Sequence, residues 1–263
     1  LSRFLREAKV VASLEHPNIA TVYEATATYI AMQRIHGYNL SDLEPQEPRV
    51  AVKWLLQAVE ALSHAHAKGI LHRDIKPHNL MLDEATDRIL LLDFGLAKER
   101  DDLTEISVNG VVMGTPAYMA PELISVANCI YDECCEVYSL GATLYHLLAG
   151  QAPYISNNMA QLLNAVTQGE LPALRPQHPA VDRDLELIVL KAMNPDLYLR
   201  YATLSELSAD LVAWQSGRPV SARSSSLVYR LTLLLKRKRR TAIVISLLLL
   251  AGFFLSREVR SRL

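Results

Sequence analysis

Two short polar segments contain residue types that could support phosphoryl transfer. The sequence HRDIKPHN carries Asp74, which can accept a hydroxyl proton, Lys76, which can reach a phosphate, and Asn79, whose amide oxygen can bind Mg²⁺. The sequence DFG begins with Asp93, directly after an apolar run at 89–92 that predicts a strand. A carboxylate at a strand end is well placed to hold Mg²⁺ between two phosphates. Either aspartate alone would be interpreted as a turn or cap residue, so the prediction depends on the combination.

The elements that must position these segments follow from apolar periodicity and from breaker residues. The second helix has apolar residues at helical spacing and a glycine, Gly69, at its end, which is a normal C-terminal stop. The predicted elements are helices over 1–15 and 50–68, strands within 19–23 and 28–32, a break at Gly37, short apolar runs over 70–95, and mostly helical structure from Pro121 to Trp214.

The motifs HRDIKPHN, DFG and GTPAYMAPE occur in this order, and together they resemble the catalytic, metal-binding and activation-segment motifs of the protein kinase superfamily. Lys76, two residues after Asp74, and Thr115 in GTPAY resemble the residues at these positions in Ser/Thr kinases rather than tyrosine kinases. The segment RFLREAKVVASLEHPNIATVYE is similar to bacterial eukaryotic-like Ser/Thr kinases. The resemblance covers about residues 1–220. It implies transfer of the ATP γ-phosphoryl group to Ser or Thr hydroxyls of protein substrates, with ATP and Mg²⁺ as cofactors.

The same resemblance implies an α+β, bilobal protein-kinase-like fold with a truncated N-lobe and a mainly helical C-lobe. One C-terminal membrane helix is predicted in addition, from an apolar run beyond the resemblance. The predicted units are a partial N-lobe at 1–37, the C-lobe at 38–214, a linker with a basic segment at 215–240, a transmembrane helix at 241–256 and a tail at 257–263.

Several residues match positions that bind the nucleotide in the family. Glu7 matches the glutamate that pairs with a phosphate-binding lysine, and Met32 matches the residue at the back of the adenine pocket. Gln33 to Ile35 match the hinge that hydrogen-bonds adenine, and Met81 matches the floor of that pocket.

Other residues match positions that regulate or brace the fold in the family. Arg73 matches an arginine that receives an activation-segment phosphate, for which Thr104 and Ser107 are the predicted acceptors. Glu122 and Arg200 match a buried ion pair that braces the lower lobe.

Glu136 stands where the family usually has an aspartate that anchors the catalytic loop. Its extra methylene can be tolerated or can loosen the loop, and the sequence leaves both open. No G-x-G-x-x-G occurs in the 263 residues, and only six residues precede Glu7, so no V-A-x-K stands before it. The VAVK sequence that ends at Lys53 has helical apolar spacing, which predicts a solvent-facing lysine and no phosphate contact. We therefore expect this chain alone to bind ATP weakly and to transfer phosphate slowly.

The C-terminal region contains an uncharged apolar run at 242–255, preceded by the basic block 236–240. With its flanking Thr241 and Ser256 the run has sixteen residues, close to the roughly 17–25 of a bilayer span. We predict one span in the cytoplasmic membrane, with the basic block and the kinase domain on the cytoplasmic side. The span at 241–256 and the basic block at 236–240 are the segments expected to contact lipid. An interfacial helix or a buried helix is the alternative.

Composition limits the remaining options. The net charge of −1 gives no overall field for nucleic acid, so nucleic acid is not a predicted partner. The three cysteines, Cys129, Cys134 and Cys135, lack C-x-x-C spacing and are expected to be thiols. A homodimer is compatible with the sequence. Two further interpretations stay open, a membrane-tethered pseudokinase that acts as a binding module and a non-functional fragment.

Overall fold

The computed structural model describes residues 14–26, 28–94, 116–126 and 129–223. Within these ranges the chain starts with a β-hairpin, continues through a long helix and a small sheet, and ends in a helical unit. The strands are β1 (Val22–Ala25), β2 (Ile30–Met32), β3 (Gly37–Asn39), β4 (Leu80–Asp83) and β5 (Arg88–Leu91). The helices are α1 (Pro48–Ala67), α2 (Glu122–Ser125), α3 (Glu133–Ala149), α4 (Met159–Gln168), α5 (Arg183–Ala192) and α6 (Leu204–Gln215).

The strands form two antiparallel sheets. β1 pairs with β2, and β4 lies between β3 and β5. The segment before β1 is joined to β5, because the Leu91 N–H donates to the Asn18 carbonyl at 2.9 Å and the Ala20 N–H donates to the Leu91 carbonyl at 3.0 Å. Leu80 lies opposite Leu91 in the β4–β5 ladder, so residues 79 and 92 come to the same end of this hairpin. The hairpin thereby brings the two predicted metal-binding segments together.

Helix α1 begins at a proline and a side-chain cap. The Glu47 carboxylate accepts from the N–H groups of Arg49 and Val50, and Pro48 occupies the first turn, where its missing N–H costs nothing. One face of the helix is fully buried, and it packs against α3, α6 and β5. The buried positions recur at helical spacing; they include Ala51, Leu55, Ala58 and Leu62.

Helix α3 forms the centre of the helical unit. It begins after Asp132, whose carboxylate accepts from the Cys135 N–H at 3.2 Å, and it is buried from Cys135 to Ala149. A Cβ at Gly141 would lie 2.8 Å from the Ala192 Cβ, so the missing side chain allows α3 to approach α5 closely. This helix is buried on all sides, and its residue Glu136 binds the backbone of the catalytic loop.

The α+β class and the mainly helical C-lobe are confirmed for the described ranges, and the element predictions agree with most of the structure. The helix predicted over 50–68 is α1, and the strand predicted at 89–92 is β5, shifted by one residue. The helix predicted over 1–15 lies mostly outside the described residues, and residues 14–16 are not helical.

The prediction of a break at Gly37 was wrong. Gly37 is the first residue of β3, where a Cβ would lie 1.8 Å from the Leu82 carbonyl oxygen, so the glycine permits close strand pairing. None of the helices in the described ranges is long and apolar enough to cross a membrane. The predicted span at 241–256 and the basic block at 236–240 lie outside those ranges.

Candidate active site

The catalytic loop is held from below by one buried carboxylate. Glu136, fully buried on α3, accepts through Oε1 from the N–H groups of His72 at 2.5 Å and Arg73 at 3.1 Å. Its Oε2 lies 2.5 Å from His66 Nε2 at the end of α1. Arg73 has a left-handed backbone with φ of 66°, a conformation that costs a non-glycine residue of order 1–3 kcal/mol. The longer glutamate side chain therefore reaches both amides, and the two bonds hold the strained residue that precedes Asp74.

His66 completes this anchor, and sequence analysis did not identify it. Burial acts to lower the pKa of His66, but the hydrogen bond and the negative charge of Glu136, with a contribution from Glu133, outweigh burial and raise the pKa. A protonated imidazole beside Glu136 compensates a carboxylate that would otherwise be costly to bury. The available signal was weak, since one histidine in the last turn of a helix is a common way to complement the helix dipole.

His72 links the catalytic loop to the metal-binding segment. The imidazole is fully buried, its Nε2 lies 2.7 Å from the Leu92 carbonyl oxygen, and its Nδ1 accepts from the Asp74 N–H at 3.2 Å. Burial lowers the pKa of His72, against the opposing effect of Glu136. The neutral ring with its proton on Nε2 satisfies both contacts, which is the tautomer we assign. The ring also packs on Phe94, with centroids 4.7 Å apart.

Three of the predicted catalytic residues meet at Asp74. The Asn79 amide nitrogen donates to the Asp74 carbonyl at 2.6 Å and to Asp74 Oδ2 at 2.9 Å, and Lys76 Nζ lies 3.0 Å from the same Oδ2. The Asp74 side chain remains about one-fifth exposed. A carboxylate oriented by an amide and an ammonium group, and still open to solvent, can accept a proton from an incoming hydroxyl.

Asn79 and Asp93 are brought together by the β4–β5 hairpin. The Leu92 N–H donates to the Asn79 carbonyl at 2.9 Å, which places Asp93 beside Asn79. The Asn79 amide nitrogen is bound to Asp74, so its amide oxygen is the atom left to face a cation. Among the described residues no group of three or more His, Cys, Asp or Glu side chains could hold a metal. One amide and one carboxylate oxygen nevertheless fit Mg²⁺, which usually takes its other ligands from phosphates and water.

The predicted adenine-binding residues lie at the end of β2, in the segment between β2 and β3, and on β4. Met32, Gln33, Ile35 and Met81 are all partly buried. The Gln33 N–H donates to the Thr21 carbonyl at 2.7 Å, which ties the segment after β2 to the segment before β1. The partly accessible apolar side chains of Met32, Ile35 and Met81 suit contact with an apolar ring.

The predicted ion pair of Glu122 with Arg200 is formed at the base of the helical unit. The Arg200 guanidinium contacts both carboxylate oxygens of Glu122, at 2.7 and 2.9 Å, and its Nε donates to the Asn194 carbonyl at 2.8 Å. Burial alone would lower the pKa of Arg200, but the hydrogen bond and charge of Glu122 raise it. The Cys135 thiol donates to Glu122 Oε1 at 3.4 Å, so the carboxylate is bound by groups from two directions. This pair braces the segment that follows the activation segment.

Of five other predicted residues, the structure describes one. Lys53 is exposed on α1 and pairs with Asp87, as expected for a solvent-facing residue. The nucleotide-binding Glu7 and the activation-segment residues Thr104, Ser107 and Thr115 lie outside the described residues.

Comparison with known proteins agrees with this arrangement. The family model described as "Protein kinase domain" matches residues 1–226. The chain belongs to the protein kinase family. It is 34% identical over 233 residues to serine/threonine-protein kinase PknB of Mycobacterium leprae, which covers 84% of this chain and 37% of the relative. It is 33% identical over 219 residues to serine/threonine-protein kinase PrkC of Bacillus subtilis, which covers 80% of this chain and 33% of the relative.

These relatives support membership of the bacterial eukaryotic-like Ser/Thr kinase family. The chain spans about a third of the length of the curated relatives it matches. A solved structure titled "Crystal structure of Rad53 1-466 in complex with AMP-PNP" has a TM-score of 0.66 and 22% identity, over 79% of this chain and 54% of that one. At this identity the likeness concerns the fold alone.

Proposed function

We propose that this chain is the catalytic part of a Ser/Thr protein kinase, which transfers the γ-phosphoryl group of ATP to a hydroxyl of a protein substrate. The observation that carries the proposal is the convergence of Asn79 and Lys76 on the Asp74 carboxylate, on a loop anchored by Glu136. The names of the related PknB and PrkC proteins support Ser/Thr as the acceptor class.

Each residue of the proposed active site has a separate chemical role. Asp74 orients the substrate hydroxyl and accepts its proton as the bond to phosphorus forms, while Lys76, 3.0 Å from Asp74 Oδ2, faces the transferring phosphate. Asn79 and Asp93 would hold Mg²⁺, which neutralises charge on the phosphates when it is bound. Met32, Ile35 and Met81 would contact the adenine of ATP, and the backbone of 33–35 would hydrogen-bond it.

The test is phosphorylation of Ser/Thr peptides by the native protein, as its gene encodes it, with Mg-ATP. Asp74→Asn is expected to lower the rate about 10²–10⁴-fold, the usual contribution of a positioned general base. Lys53→Gln is the matched control, because Lys53 is exposed on α1 and pairs only at the surface with Asp87. Equal rates for the wild-type protein and Asp74→Asn would contradict the proposal.

Nucleotide binding is the property that separates a kinase from the binding module that the sequence left open. Nucleotide titration with and without Mg²⁺ measures this directly. Absence of saturable binding by both the chain and the native protein would favour the membrane-tethered binding module instead.

We also propose that residues 241–256 anchor the protein in the cytoplasmic membrane, with the basic block 236–240 and the kinase domain on the cytoplasmic side. The length and apolar character of the run and its basic flank support the anchor. Flotation with anionic vesicles, compared with a variant that ends at residue 235, tests it.

A further inference from the structure

Two histidines beside the catalytic loop have no role in the mechanism described above. His146 lies on α3 and is only 8% exposed. Its Nδ1 is 2.7 Å from the Tyr118 hydroxyl oxygen, while its buried Nε2 has no hydrogen-bond partner among the described residues. The other histidine, His78, is exposed and immediately precedes Asn79. A buried polar atom without a partner indicates that a group is missing from its surroundings.

The contact with Tyr118 determines what kind of group is missing. Burial lowers the pKa of His146, and the nearby imidazole of His78 lowers it further, so the His146 ring is neutral near pH 7. We assign the Tyr118 hydroxyl as the donor to Nδ1, because this gives the buried phenol proton an acceptor. The proton of the neutral ring is then on Nε2. Nε2 is therefore a donor that can be satisfied only by a hydrogen-bond acceptor.

The two histidines lie on elements that adjoin the catalytic loop. His78 is four residues beyond Asp74 on the same loop, and the short 3-10 turn Pro77–Asn79 packs against α3, which carries His146. Tyr118 belongs to the turn Pro116–Tyr118, which also packs against α3. An extended peptide advances about 3.3–3.6 Å per residue. The four residue steps from Asp74 to His78 span at most about 13–14 Å, so a residue within about three positions of the hydroxyl bound at Asp74 has His78 within reach of its side chain.

Resting on the proposed kinase function, we propose that His78 and His146 determine substrate specificity by favouring an acidic side chain close to the phosphoacceptor residue. A carboxylate can accept hydrogen bonds from both imidazoles. A guanidinium or ammonium group carries only donors, so it cannot accept the hydrogen bond that the Nε2–H of His146 offers. The pair thus discriminates against basic residues at a site that lies next to the reacting hydroxyl.

The experiment uses the native protein and a peptide library with one Ser or Thr, in which each of the three positions on either side is varied. We expect Asp or Glu at one of these positions to raise kcat/KM about tenfold over Arg, which corresponds to one well-made charged contact. His78→Glu, on the exposed loop, should abolish or reverse this preference. His178→Glu makes the same charge change on the loop before α5 and should leave the preference intact.

A second pair of measurements covers the buried residue and separates the two proposals. His146→Phe should weaken the acidic preference. Thermal unfolding of this variant shows whether it folds; if it does not fold, the result for His78→Glu tests the specificity proposal. Acidic and Arg-containing peptides whose phosphoacceptor Ser or Thr is replaced by Ala report binding to the native protein without catalysis. Acidic preference in binding, without Asp74-dependent phosphorylation, would leave the specificity standing and remove the kinase function. Asp74-dependent phosphorylation with no acidic preference, or with one that His78→Glu does not change, overturns the specificity proposal alone.

Discussion

Replacing Glu136 by alanine is expected to be among the most damaging single changes in the helical unit. The substitution removes the acceptor of two backbone N–H groups, those of His72 and Arg73, and leaves His66 without its charged partner. Hydrogen bonds to a charged group contribute about 1.5–3 kcal/mol each. Breaking a buried charged network by removing one partner costs about 3–5 kcal/mol, and we expect the free energy of unfolding to fall by this amount.

Glu136→Gln separates the hydrogen bonds from the charge. Glutamine keeps the chain length and one oxygen that can accept from both amides, but it loses the charge that faces His66. We expect a loss of about 1–2 kcal/mol, the difference between a charged and a neutral acceptor. Peptide phosphorylation by the native protein should fall in the same order, because the strained Arg73 positions Asp74.

Urea denaturation followed by circular dichroism measures these free energies, and an unchanged slope with denaturant shows that the same surface unfolds in each variant. An alanine variant within about 1 kcal/mol of the wild-type protein would refute the anchoring role of Glu136. A glutamine variant as unstable as the alanine variant would mean that the charge pairing with His66 stabilises the loop and the amide contacts do not.

Three further changes test other contacts. Arg200→Met leaves the Glu122 carboxylate buried without its ion pair and should lower the free energy of unfolding, measured with urea, by about 3–5 kcal/mol. Adding Glu122→Gln to this variant should restore part of the loss. The pKa of His66 is raised in the folded protein, so the stabilising effect of its protonation is complete below about pH 6.5 and is lost as the pH rises through the raised pKa. The difference in unfolding free energy between the wild-type protein and His66→Gln should therefore shrink from pH 6 to pH 9. Gly141→Ala places a Cβ 2.8 Å from Ala192 and should lower the free energy of unfolding by about 1–3 kcal/mol, seen as a lower melting temperature, whereas an unchanged melting temperature would show that α3 and α5 can separate without cost.

Much of the fold and part of the candidate site could be predicted from local sequence. Helix α1 was placed within two residues because its apolar positions repeat at helical spacing over 20 residues and its end is marked by Gly69. The exposure of Lys53 followed from the same periodicity. Asp74, Lys76 and Asn79 lie within six residues of one another, so their proximity required little tertiary information. Glu122 and Arg200 are 78 residues apart, and only the resemblance to a family predicted that they meet.

Other features depended on contacts between distant segments. Gly37 looks like a break in the sequence, and it begins a strand because the Leu82 carbonyl approaches where a side chain would be. His66 and Glu136 are 70 residues apart, and no local pattern marks either as the partner of the other. The unpartnered nitrogen of His146 likewise exists only because α3 buries the ring against Tyr118. The sequence by itself determined which groups could do chemistry, since residue type and short spacing are local properties. The tertiary structure decided how those groups are oriented, charged and supported, because burial and long-range hydrogen bonds arise only when distant segments pack together.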